Sequence, residues 1–158
     1  MPLARRLAGM VALVTYLVMG GMIYFTVLPG AGGHWPPDFH LRGYDAVSVA
    51  PFLQALSDEA RATYQLILTF WDRIFILALA AWLALMGWRG GGLRYFVAGL
   101  AVLYAGVDLA ENAAIYRFVS VVDPTVEAVR TAHHWTMAKF AALYLCVLVL
   151  IVHMRRSA

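Results

Sequence analysis

The segment DLAENAAIYR, residues Asp108 to Arg117, puts Asp108, Glu111 and Asn112 at i, i+3 and i+4 inside an otherwise apolar run. On a helix that spacing sets two carboxyls and a carboxamide on one face, with Tyr104 one turn below and Ile115 one turn above. Such a face can bind a cation, share a proton or act as general acid and base. A second polar stripe, Gln65, Thr69 and Asp72, recurs at i, i+4 and i+7, and Arg73 lies about 100° around the helix from Asp72. A third apolar run carries His134 and Lys139, the only lysine in the chain.

The elements that position these residues are set by composition. Of 158 residues, 63% are hydrophobic and only 13% are charged. A soluble domain of this size carries about 25% charged residues, so the long apolar runs read as membrane spans. The fold class expected is all-α: an integral membrane four-helix up-down bundle forming one transmembrane domain over residues 1–158. The spans fall at about 7–28, 62–88, 93–118 and 126–153, and an outer loop covers 29–61. The first run, about 33 Å as a helix, is long for a signal-peptide core and is read as a retained span. The turns WRGGGLR and SVVDPT are short enough to force antiparallel neighbours.

The outer loop divides into an irregular Gly/Pro/aromatic part and SVAPFLQAL. In the latter Val49, Phe52, Leu53 and Leu56 take helical spacing, which predicts a short interfacial helix capped by Ser48. Ser57 is expected to cap the second span, with Asp58 and Glu59 at the favourable end of its dipole. The basic residues set the orientation. Arg5 and Arg6, Arg89 and Arg94, and Arg155 and Arg156 all fall on one side of a four-span chain. The positive-inside rule makes that side, with both termini, cytoplasmic, as in a bacterial inner membrane.

Depth strengthens the reading of the polar residues. At 1.5 Å per residue, Asp72 and Asp108 lie about 15 Å from the outer ends of their spans and Lys139 about 20 Å. Any one of these charges facing lipid would cost about 2.5–3.5 kcal/mol. They are therefore expected to face one another or water, as one pocket. Asp72, Asp108 and Glu111 against Arg73 and Lys139 leave one negative charge in excess, so a cationic His134 or a bound proton is expected to balance it. His134 and Lys139 diverge by about 140° on their helix, and Lys139 is the one expected inward.

Other residues carry less. His133 and His134 are adjacent and diverge too far to chelate one ion; a surface metal site with His34 and His40 is a lesser reading. No cofactor and no nucleic acid is expected. Cys146, the single cysteine, reads as packing. Tyr16, Gly20 and Tyr24 are expected to pack the first span onto the bundle, with glycine allowing close approach. Trp35, Tyr44, Trp71 and Trp88 suit interfacial anchoring.

The motifs RGYDAVSVAPFLQAL, WDRIF and DLAEN and the intramembrane lysine resemble a family of small bacterial four-helix membrane proteins to which no established activity attaches. More faintly, the arrangement is similar to the sterol isomerase and sigma-2 receptor group, whose members place acidic residues in a membrane cavity for an amphiphilic ligand. The function expected is binding of a membrane lipid or small amphiphile, with catalysis left open. Asp108, Glu111 and Lys139 are the catalytic candidates. Asp72, Arg73, Asn112, His134, Gln65, Thr69 and Tyr104 are the ligand-binding ones. The alternatives are an accessory subunit with a membrane-protein partner, or a homo-oligomer, in which the charges hold helices together, and a proton or ion pathway.

Overall fold

The computed structural model describes residues 2–88 and 90–156. Arg89, one of the basic residues that set the orientation, lies outside them. Among the described residues there are five helices and no strand. Four are long and apolar enough to cross a membrane: α1 Pro2–Gly30, α3 Asp58–Met86, α4 Leu93–Val119 and α5 Val126–Arg156. The shorter α2, Ala46–Ala55, belongs to the loop between α1 and α3. The all-α four-helix class is as expected, with helices longer than the apolar runs. Arg5, Arg6, Arg155 and Arg156 are good helix formers and continue their helices past the apolar part.

Helix starts follow local polar chemistry. The Ser57 hydroxyl accepts from the Ala60 N–H at the head of α3, as its sequence suggests. At α2 the cap is Asp45, not Ser48. The Asp45 carboxylate accepts from the Ser48 N–H at 2.8 Å, and the Ser48 hydroxyl accepts from the Asp45 N–H at 2.8 Å, closing a capping box. These bonds hold the Asp45 carboxyl below its ordinary range. The Thr125 hydroxyl accepts from the Ala128 N–H at the head of α5.

Two helices carry a π-turn, at Ile23–Val27 in α1 and Ile67–Trp71 in α3. Such a turn adds about one residue and rotates the rest of the helix by about 100°. Asp72, the first residue after the second π-turn, therefore leaves the Gln65–Thr69 stripe on which straight-helix spacing places it.

The helices pack in chain order: α1 along α3, α3 along α4, α4 along α5. The α1 and α5 helices share no packed seam, so the bundle is open between them. Two apolar cores brace it. The one at the loop end includes Val27, Phe52, Tyr64, Ile115 and Phe118; the one at the termini end includes Ile76, Leu83, Val97, Cys146 and Leu150. Cys146 packs there, its Sγ 3.9 Å from the Val97 carbonyl.

The loop is fastened to the bundle. Val49 and Phe52 of α2 are buried, so this helix caps the bundle end. Tyr44, expected as an interfacial anchor, is buried with its hydroxyl 3.1 Å from Thr136 Oγ1, and burial raises it well above the ordinary tyrosine range. The Tyr44 N–H donates to His133 Nδ1 at 3.2 Å. Gly43 makes this possible with a φ of +85°, and the His133 ring fills the place a Cβ would take.

Candidate functional site

The α4 helix buries Tyr104, Asp108, Glu111, Asn112 and Ile115 on one face, as the i, i+3, i+4 spacing requires. Lys139 reaches this face from α5. Its Nζ stands 2.6 Å from Glu111 Oε2 and 3.8 Å from Asp108 Oδ1. From α3, Asp72 Oδ2 accepts from Asn112 Nδ2 at 2.7 Å. Tyr104 neighbours the Asp108 carboxyl one turn away. Asp72, Asp108 and Lys139 lie about 21, 16 and 20 Å from the loop ends of their helices, so three antiparallel helices bring charge to one depth.

Several of these groups border a cavity of about 490 Å³. Asp72, Asp108, Tyr104 and Lys139 form its polar wall. Its apolar walls include Phe75 and Leu79 of α3, Phe140 and Leu143 of α5, and Tyr16, Leu17 and Tyr24 of α1. Gly20 and Gly21 line it too, and a Cβ at either would meet nothing within 4 Å. That corrects the expectation for the first span. Gly20 faces open space in the cleft between α1 and α5, and does not serve close approach. The close contacts of α1 fall at Gly30, where an added Cβ would strike Ala60, and at Gly9, where it would strike the Trp82 ring.

The polar residues divide by role. Glu111 is wholly buried and borders no part of the cavity; its carboxylate is taken up by Lys139. Asn112 holds the Asp72 carboxyl in place. Asp108 is 3% exposed, borders the cavity, and its Oδ1 accepts no hydrogen bond. A buried acceptor left unmade costs about 1–3 kcal/mol, more when charged; the Glu111 oxygens share that lack, and Asp108 is the one of the two that borders the cavity.

Four of the expected residues lie elsewhere. Gln65 donates to Ser120 Oγ at 2.9 Å and ties α3 to the end of α4. Thr69 donates back to the Gln65 carbonyl at 2.7 Å. The π-turn Ile67–Trp71, which contains Thr69, sets both off the face that Asp72 turns to the cavity. Arg73 is exposed on the far side of α3. His134 is exposed, and it is His133 that turns toward the protein, to take the Tyr44 N–H. The expected balancing charge from Arg73 and His134 is thus missing from the site. No group of three His, Cys, Asp or Glu placed to hold a metal occurs among the described residues, so the His34/His40 reading gains nothing.

The fold adds one residue that helical spacing does not single out. Asp38, on the short 3₁₀ turn Pro37–Phe39, borders the cavity mouth and accepts from the Tyr64 hydroxyl at 2.6 Å. Pro36 and Pro37 stiffen the chain just ahead of it, and PPDF is the one local signal of a fixed position there.

No family model matches the chain, and no curated protein or solved structure does so either. The four apolar helices agree with the small four-helix membrane family that the motifs resemble, and no comparison adds to that.

Proposed function

We propose that this is a multi-pass bacterial inner-membrane protein, both termini cytoplasmic, that binds a small amphiphile through the cleft between α1 and α5. The observation that carries this reading is the cavity's division into one acidic wall and otherwise apolar walls, beside an unsealed helix pair. Asp38, Asp72 and Asp108 against Lys139, itself engaged by Glu111, favour a head group that is cationic or rich in donors. The tail has a continuation. A second groove of about 550 Å³ runs along α1 and α3 toward Arg6 and shares Tyr16, Phe75 and Leu79 with the first. The Tyr16 and Phe75 rings, 5.9 Å apart, stand where the two meet. Were the guest transformed, Asp108 would be the acid or base and Lys139 the stabiliser of negative charge.

The test is native mass spectrometry of the protein extracted gently from its own membrane. A discrete added mass of a lipid-sized molecule, absent from Asp108→Asn, supports the proposal. A bare chain in both overturns it.

A further inference from the structure

Arg73 is the one charged residue among those described that is exposed away from the ends of a span. It lies about 22 Å from the loop end of α3 and about 20 Å from the other end, near the middle of a hydrocarbon layer about 30 Å thick. Its side chain cannot easily reach either water surface from there, and facing lipid it costs about 2.5–3.5 kcal/mol. The same stripe of α3 exposes Leu77, one regular turn on from Arg73, and Phe70 of the π-turn is exposed just before it. No ion pair of Arg73 occurs among the described residues.

We propose that this stripe docks a transmembrane helix of a different protein that carries a carboxylate at mid-membrane depth. Charge complementarity fixes the partner's chemistry. An Arg presents a planar fork that takes a carboxylate through two hydrogen bonds, and in lipid neither group has a better alternative. A second copy of this chain does not fit. Its exposed carboxylates, such as Asp58, Glu59 and Glu127, lie at the helix ends, while Asp72, Asp108 and Glu111 face inward. Pairing two such stripes would set arginine against arginine. The adjacent residues Asp72 and Arg73 thus turn opposite charges to different sides of α3, one to the cavity and one outward.

The experiment measures energy transfer between the labelled full chain in liposomes and a polyleucine transmembrane peptide bearing one central Glu, with a central-Gln peptide as control. The Glu peptide is expected to associate about tenfold more tightly than the Gln peptide, the scale of interhelical polar contacts in lipid. Arg73→Leu is expected to erase that difference while leaving the unfolding temperature unchanged or higher. Equal association of the two peptides overturns the proposal, Arg73 then being satisfied by lipid phosphate. A Glu preference that survives Arg73→Leu also overturns it, because Lys139 would then be the attracting group.

Discussion

The two flanks of the bundle are built on opposite plans. The α4–α5 seam is closed: small buried residues such as Ala101, Ala132 and Cys146 let the helices approach, and Lys139–Glu111 is locked within it at 2.6 Å. The α1 flank is open: Gly20 and Gly21 face space, Tyr16 and Tyr24 are more than half exposed, and the helix packs along α3 alone. The difference teaches that intramembrane charge serves two ends in one molecule. Where helices close on it, charge is paired within the protein; where they stay apart, it borders a cavity.

Breaking the closed side should give the largest effect. Lys139→Met leaves Glu111 buried without its cation and is expected to destabilise by about 3 kcal/mol, the usual result of removing one partner of a buried pair. Adding Glu111→Gln should restore part of that, as read by thermal unfolding of the single and double variants. An additive double variant would show that the pair is not a unit.

A pair of enlargements sharpens the contrast at smaller scale. Cys146→Leu overfills the closed seam and should cost about 1–3 kcal/mol. Gly20→Leu adds bulk where nothing lies within 4 Å; it should leave unfolding unchanged while abolishing the retained mass. Equal losses from both would erase the distinction between the flanks.

The smallest effect is at the loop. The Asp45 carboxyl is held below its usual range by its bonds to Ser48, so its capping contribution is complete above the unfolded pKa. It is lost as pH falls through the lowered folded pKa. Amide protection at the first turn of α2, taken relative to intrinsic exchange at each pH, should fall in that acidic window and stay constant at higher pH.

Much of the closed side is legible in the sequence. The DLAEN spacing identifies a buried face, and the depth of Lys139 identifies its partner helix, because both follow from straight-helix periodicity. The open side is not. A π-turn in α3 carries Asp72 off the Gln65–Thr69 stripe, and no sequence period announces an added residue. Gly20 has the spacing of a packing glycine, because spacing cannot distinguish contact from a gap. Asp38 lies outside the spans and arrives at the cavity only through the fold of the loop.

The central claim is that Asp108 serves a guest whereas Glu111 serves the fold. Thermal unfolding of Asp108→Asn beside Glu111→Gln in the same detergent tests it most directly. Asp108→Asn should stay within about 1 kcal/mol of the parent or exceed it, since Asp108 Oδ1 stands 3.8 Å from Lys139, while Glu111→Gln, which loses the 2.6 Å ion pair, falls well below. A loss in Asp108→Asn as large as that in Glu111→Gln would contradict the account, and both carboxylates would then be holding helices together.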